Sequence, residues 1–598
     1  MTHQSAQMGR CHGPSPSPSL PSRASLRPRV RGILPTVPQG RRPPWRPPRA
    51  GTEDREMGGE TTKTKVELPF GGAIVERDES WTQVMTTQVL DSVVDVGRHV
   101  KRRAATSTFT VGDGQGWPTG PMSLEEKPVL LVLGSGWGSH SLLKVIDVDA
   151  FDVVCVSPNN HFLFTPMLPS TAVGTVEFRS LLEPIRMANE FVTYCEATCD
   201  GIDLTRKVAS CTSKVTDSTG YQPTFDIRYD LLVVAVGEMP ASFGVPGVMD
   251  NCFFMKEIAD SVALRKRVQE VFELAALPGT SVEEARDILH FVVVGGGPTG
   301  VEFAGTLADF LKEDLRRKYG PKIMRLVRLT LLQSGQSILT QFDSRLAERA
   351  TENFRRTGVE VKTGVRVVEV TSEEVVLGSG ERIRYGVCVW SAGNAPRPLV
   401  QGLAAQIEEQ APFIGRDGKA GKLVVDDFLR VVGAEDVLAL GDCAKVLSAP
   451  LPATAQVAGQ QGAYAAHVIN RQYVLGVGGA NCYPPTKTIP KGSVSIADLV
   501  FGTVEVLEPE GRGKPKMSQV TLKKPFEFLS LGILAAIGDD KAIAEVEVFG
   551  KKMPLWGSPA FLLWRSVYIT KQVSFRNRVL ILFDWLKTRV FGRDLSQF

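Results

Sequence analysis

Two stretches of this 598-residue chain share one grammar. "KPVLLVLGSGWGSHSLLKVI", from Lys127, is a short apolar run, a glycine turn and a helix-forming segment, after which "FDVVCVS" reads as a further strand. "LHFVVVGGGPTGVEFAGTLADFL", from Leu289, repeats the pattern and leads into "RLTLLQSG". A strand that ends in closely spaced glycines and opens a helix can bring its backbone against a pyrophosphate, with the helix N-terminus facing the charge. Two such units about 160 residues apart predict an α/β fold with two Rossmann-like dinucleotide-binding domains.

In the second unit Gly295, Gly297 and Gly300 fill the three glycine places of G-x-G-x-x-G. In the first, Gly134 and Gly136 fit, Trp137 and Gly138 follow, and Ser139 takes the third place, where a small residue meets the steric requirement. No acid ends the next strand, which runs Val156, Ser157, Pro158. "YDLLVVAVGEMP" and "VCVWSAGNAPRP" read as strands ending in small-residue turns at Gly237 and Gly393, and "VLALGDCAKV" as a late buried strand ending in Gly441 and Asp442. The strand "RLTLLQ" ends in Gln333, where NAD sites ordinarily carry a carboxylate for the ribose 2′-hydroxyl. An amide keeps an acceptor, adds donors and removes the charge that repels a 2′-phosphate, so NADPH and NADH are both expected. Arg325 and Arg328 are near enough in sequence to assist a phosphate.

Composition sets bounds. With 43% apolar and 22% charged residues the chain reads as soluble and globular, and no run of about 18 apolar residues suggests a spanning helix. The net charge of +4 arises from nine Arg in residues 1–50, which hold no Asp or Glu; the remainder is acidic, and a nucleic-acid partner is not indicated. That Arg- and Ser-rich start matches an organelle transit peptide. Residues 51–125 read as a poorly ordered extension, in which Ser80 to Arg103 could form an amphipathic helix. Nine cysteines without a C-x-x-C pair point away from zinc and dithiol centres and towards a reducing compartment.

The layout resembles the flavoprotein disulfide-reductase superfamily with two dinucleotide-binding domains. Four stretches narrow the likeness: "GSGWGSHSLL", "SPNNHFLFTPMLPSTAVGTVEFRSLLEPIR", "LPATAQVAGQQGAYAA" and "WRSVYITKQVSFRNRVLILFDWLKTRVFGRDLS" closely resemble type II, or alternative, NAD(P)H:quinone oxidoreductases. The resemblance implies FAD at the first loop with Asp442 near its ribityl or pyrophosphate part, NADH or NADPH at the second, and electron transfer to a membrane quinone without proton pumping. It implies quinone-pocket roles for Gln456 and Gln460, a flavin–nicotinamide role for Glu302 and, on a shorter stretch, a catalytic role for Lys541. From Pro559 onward Phe561, Trp564, Val567 or Tyr568, Phe575, Val579, Leu582, Leu586 and Val590 recur at helical spacing among seven Lys and Arg, a surface suited to anionic lipid. A homodimer is implied as well. The expected divisions are a first FAD part at 126–250, an NAD(P)H domain at 251–395, a second FAD part with the quinone-site helix at 396–500 and a membrane-association and dimerisation region at 501–598. The expected place is the mitochondrial inner membrane or a plastid thylakoid. A soluble reductase for another acceptor, and a nucleotide-regulated interaction protein resembling apoptosis-inducing factor, remain open alternatives.

Overall fold

The computed structural model describes residues 127–598 apart from 416–420, 480–481, 496–497, 500–501, 508–516, 549–550 and 597–598. The expected transit segment, the 51–125 extension and the Ser80 to Arg103 stretch lie outside the described residues.

The first unit contributes β1 (Val129–Leu133), α1 (Trp137–Val145), β2 (Asp152–Ser157), β3 (Thr193–Asp203), β4 (Val208–Ser213), β5 (Thr224–Arg228) and β6 (Leu231–Val234). The chain then passes through α2 (Ile258–Ala275) into β7 (His290–Val294), α3 (Pro298–Phe310), β8 (Arg328–Leu332), β9 (Val359–Lys362) and β10 (Val387–Trp390). It returns through β11 (Val437–Ala439) and α4 (Ala455–Asn470). The first sheet has the order β11-β6-β1-β2-β3-β4-β5, parallel through its first five strands, and the second the order β9-β8-β7-β10, parallel throughout. Strands such as VLLVL and HFVVV are buried at every position because parallel sheets are covered on both faces.

β11 joins the first sheet beside β6, so the second sheet is an insertion within the first unit. Outgoing and returning connections meet where Glu238–Pro240 pairs antiparallel with Asn394–Pro396. Beyond α4, a three-stranded sheet built from Thr486–Pro490, Gly502–Leu507 and Met517–Leu522 straddles the expected division at 500. The C-terminal antiparallel sheet follows, β12 (Ile533–Gly538), β13 (Lys541–Val548) and β14 (Lys551–Gly557), then α5 (Ser558–Thr570) and α6 (Phe575–Phe591).

These two helices are amphipathic in a different sense from the sequence reading. Trp564 faces inward and is buried, and Lys587 and Arg593 are engaged by Glu177, Glu313 and Asp314, so part of the expected lipid-facing set holds the tail to the body. Leu562, Phe575, Leu582, Phe583, Leu586, Val590 and Phe591 remain exposed.

Helices α1 and α4 touch backbone to backbone. A methyl group on Gly462 would overlap the Gly138 carbonyl, so only hydrogen permits this approach. Gly462→Ala should therefore push α4 from α1 and lower stability by about 1–3 kcal/mol, the usual cost of overpacking. Thermal unfolding of the purified variant checks this; its midpoint should fall.

Candidate active site

Both glycine loops open on one cavity of about 740 Å³. Gly134 and Gly295 adopt φ of +107° and +114°, where a side chain would be strained, and each donates its N–H to the neighbouring strand, at Val156 O and Leu332 O (2.8 Å each). Gly136 and Gly297 cap α1 and α3 with nothing within 4 Å of the place a Cβ would take, which leaves room for a pyrophosphate at each helix N-terminus. A Cβ on Gly300 would overlap Gly295 O, so the third glycine of the second loop lets helix and strand pack. In the first loop the corresponding Ser139 is buried, and the closest backbone approach is made instead by Gly138 against α4.

Gly237, Gly393, Gly441 and Asp442 all line the cavity, as does Ser157 at the end of β2. Ser157 Oγ bonds Ser135 Oγ (2.9 Å) and accepts from the Asn159 N–H (3.2 Å). Asp442 pairs with Lys256 (3.3 Å) and does not cap a helix. Gln461, buried on α4, accepts from the Gly441 N–H (2.7 Å) and fixes that turn. Arg397 reaches Glu257 (3.5 Å), which also accepts from Asn159 (3.2 Å); burial pushes the Glu257 carboxyl above its ordinary range. Sequence reading missed Lys256, Glu257, Arg397 and Gln461. The signal available was their adjacency to turns already singled out, above all Arg397 inside "SAGNAPRP".

Glu302 lies in the first turns of α3 and lines the cavity, 6% exposed. Its Oε1 accepts from the Ala536 N–H (3.1 Å) and the Trp564 indole N–H (2.9 Å), and the Tyr568 hydroxyl bonds it too. Burial outweighs these three donors and raises the carboxyl to about 7. Helical spacing places Trp564, and either Val567 or Tyr568, on the lipid face; the contact of Trp564 and Tyr568 with Glu302 spans more than 260 residues and leaves no local sign.

Gln456 and Gln460 face inward. Gln456 Nε2 donates to Gly532 O (3.2 Å), and Gln460 exchanges two bonds with the backbone of Leu529 (2.9 and 3.0 Å). They brace the segment entering the C-terminal sheet, while Thr454, Ala455 and Ala458 of the same region line the cavity. Gln456 Oε1 is buried without a partner in the protein. Lys541 lies outside the cavity, paired with Asp539 (2.6 Å) on the turn before β13.

At the second loop Gln333 Oε1 accepts from the Gly296 N–H (3.0 Å) and Nε2 donates to Ser337 O (3.3 Å). An amide answers a donor on one side and an acceptor on the other, which a carboxylate cannot. Arg328 stands at the opposite end of β8, about 16 Å away at strand rise, and pairs with Asp287 (3.3 Å). Arg325 precedes it, at the end of the helix Arg316–Met324, so neither arginine assists at Gln333.

The pyridine nucleotide-disulphide oxidoreductase family matches residues 128–462, and the NDH2 C-terminal domain matches residues 531–594. A probable mitochondrial NADH–ubiquinone oxidoreductase of Schizosaccharomyces pombe is 36% identical over 80% of this chain and 85% of its own length. An internal alternative NAD(P)H–ubiquinone oxidoreductase, mitochondrial, of Solanum tuberosum is 36% identical over 79% of this chain and 88% of its own. The chain belongs to the alternative NAD(P)H–ubiquinone oxidoreductases. The Plasmodium falciparum NDH2 solved with NADH shares this fold, with a TM-score of 0.65 at 24% identity, covering 79% of this chain and 100% of that one. Within this alternative oxidoreductase, Lys256 and Tyr568 line the cavity with the sequence-predicted Glu302 and Asp442, while Gln461 and Trp564 hold the Gly441 turn and Glu302 from behind, and Gln333, Gln456 and Gln460 are not among the lining residues.

The raised Glu302 carboxyl has a linked effect on stability. Its folded value of about 7 exceeds the ordinary 4.5, so its contribution is fully present below pH 4.5 and is lost as pH rises through 7. Glu302→Gln removes that loss. Relative to the wild type, the variant's melting temperature should be higher at pH 8 than at pH 5, a difference worth up to about 3 kcal/mol. Parallel pH dependences of the two proteins would show that Glu302 titrates normally.

Proposed function

We propose that this protein oxidises NAD(P)H with FAD and passes two electrons to a membrane quinone, without proton translocation, on the mitochondrial inner membrane. The observation that carries the reading is one cavity reached by both glycine loops and lined as well by Glu302 and Tyr568. The residues suit FAD: an open helix N-terminus at Gly136, a turn fixed by Gln461 and the Asp442–Lys256 pair form an elongated cradle beside the first sheet. When bound, FAD supplies an acceptor for hydride from the nicotinamide and a donor of electrons to the quinone.

The chain's own groups then have distinct tasks. The N-terminus of α1 and Asp442 orient the flavin nucleotide, and the N-terminus of α3 with Gln333 orients NAD(P)H. Glu302, with a carboxyl near neutrality, exchanges a proton where electrons pass, as a group poised near ambient pH does best. Gln456 contributes a buried, unpartnered carbonyl oxygen that suits a quinol hydroxyl, and Gln460 holds the backbone at Leu529, both on the helix whose Ala455 and Ala458 line the cavity. Lys541, outside the cavity, acts through the Asp539 turn. The relatives' names are mitochondrial, which favours that compartment over the plastid.

NADH or NADPH should be oxidised rapidly only when a short-chain quinone is added; slow flavin reduction indifferent to acceptor would instead favour an interaction protein. With no carboxylate at the end of β8, NADPH should be used within about tenfold of NADH. Gln333→Glu keeps the Gly296 bond, loses the Ser337 bond and places a charge beside the 2′-phosphate, so kcat/KM for NADPH should fall about 100-fold, or about 2.7 kcal/mol. Steady-state kinetics with both nucleotides decide it, and an unchanged preference rejects the role.

No described helix is long and apolar enough to cross a membrane, and the exposed face of α6 is the proposed contact with lipid. Leu582, Leu586 and Val590 recur every fourth residue and are 49%, 60% and 62% exposed. Changing all three to Glu should move the protein from membranes to the soluble fraction with flavin content unchanged. The homodimer implied by the resemblance belongs to this proposal too, supported by the apolar side chains at Phe575 and Phe591 that flank the face.

A further inference from the structure

The cysteines carry no C-x-x-C motif, yet the fold brings two of them, 136 residues apart, into contact: Cys252 Sγ lies 3.5 Å from Cys388 Sγ, and both are free. Cys388 sits on β10 and is fully buried; Cys252 is half-buried, on the segment that runs beside β10. That segment makes an isolated parallel bridge. Phe253 pairs with Val389, the Phe253 N–H donates to Cys388 O (2.8 Å), and the Trp390 N–H donates to Phe253 O (2.8 Å). Each cysteine immediately precedes a member of this pair. Neighbouring strands lie about 4.8 Å apart, inside the Cα separation of about 4.4–6.8 Å that a disulfide spans.

The two residues occupy the two passages between the nucleotide units. Cys252 is on the outgoing passage, whose following residues Phe254 to Glu257 line the cavity; Cys388 is on the returning strand, which continues through Trp390 and Gly393 into it. A bond between them would fasten the Lys256 and Glu257 side of the cavity to the Gly393 and Arg397 side.

We propose that Cys252 and Cys388 are an oxidative modification site, a dithiol that a hydroperoxide converts into a disulfide across the two passages. Cys252, the accessible partner, attacks the peroxide: its sulfur gains an S–O bond, the O–O bond breaks and water leaves, giving the sulfenic acid. Cys388 Sγ then attacks Cys252 Sγ, the S–S bond forms, the S–O bond breaks and a second water leaves. Two thiols and one hydrogen peroxide thus give one disulfide and two waters; the sulfurs are oxidised and the peroxide is reduced. A dithiol such as dithiothreitol reverses the bond by exchange. Hydrogen bonding to Cys252, and then burial, hold the Cys388 thiol well above its ordinary range, so Cys388 reacts only with the adjacent oxidised sulfur.

The test is peptide mapping of the full-length, FAD-loaded protein after treatment with hydrogen peroxide, the protein being unfolded directly into excess alkylating agent so that buried free thiols such as Cys388 are blocked as they become exposed. The expected product is a linked pair of peptides carrying Cys252 and Cys388, lost on treatment with dithiothreitol and absent from Cys252→Ser. In Cys388→Ser the sulfenic acid has no partner, and dimedone should label Cys252. Recovery of both residues as blocked free thiols overturns the proposal. So does a link from either one to another cysteine, or a bond confined to Cys199 and Cys211, which oppose each other on β3 and β4.

Discussion

Helix α3 and strand β12 meet backbone to backbone at Gly305 and Gly538. A Cβ on Gly305 would lie 2.7 Å from Gly538 N, and one on Gly538 would lie 2.7 Å from Gly305 O. This approach seats the C-terminal sheet on the same helix whose N-terminus faces the cavity. One turn earlier on that helix, Glu302 then falls beneath the Ala536 N–H and the Trp564 indole. A larger residue at either glycine would separate helix from sheet and leave a buried carboxylate without its donors, which costs far more than the packing itself. Glu302, Trp564 and Tyr568 are thus one arrangement, assembled from the inserted unit and the C-terminal region.

The C-terminal tail completes this assembly from the other side. The side chain of Arg593 is only 10% exposed; it bonds Asp314 (2.6 Å), Glu313 (3.1 Å) and Thr175 Oγ1 (2.9 Å), while Asp594 O accepts from Arg265 and Gln269. Asp314 lies in a π-helical turn, Leu311–Leu315, that continues α3, and its side chain also receives the Arg593 N–H. The residues just beyond α6 therefore grip the π-helical continuation of the helix that carries Glu302, and the loop at Thr175. A basic tail that reads as a membrane anchor divides into two sets of cations, one spent on internal acids and one, including Lys571 and Arg576, exposed at the surface. Sequence periodicity cannot separate the sets, because it records which residues share a helix face and not what lies opposite.

The same limit explains what could be read in advance. The glycine loops were legible because their requirement is local: the strand, the turn and the helix are contiguous, and the φ of Gly134 and Gly295 follows from the turn alone. The late Gly441–Asp442 strand end was legible for the same reason, and the layout of two nucleotide units followed from repetition. Gln461, Lys256 and Tyr568 were not legible, since each owes its place to a partner 20, 186 or 266 residues away in sequence, and each has an ordinary surface reading when viewed alone. Lys541 illustrates the converse. A short stretch resembling a family suggested a role, but the lysine sits on a turn where it pairs with Asp539 and never reaches the cavity.

Gln333 has a structural reason beside the one its place in the sequence suggests. Read along the strand, it is an acid replaced by an amide, and the absent charge is the whole of the argument. In the fold its amide is also structural, since it joins the second residue of the glycine loop to the loop beyond β8 through Gly296 and Ser337. Arg328 is at the wrong end of the strand and pairs with Asp287, so it supplies no cation to a 2′-phosphate at Gln333. Permissiveness towards NADPH then rests on lost repulsion without gained attraction. Omitting a charge removes a bar to NADPH without by itself selecting the phosphorylated nucleotide, because selection requires a cation and neither Arg325 nor Arg328 supplies one there.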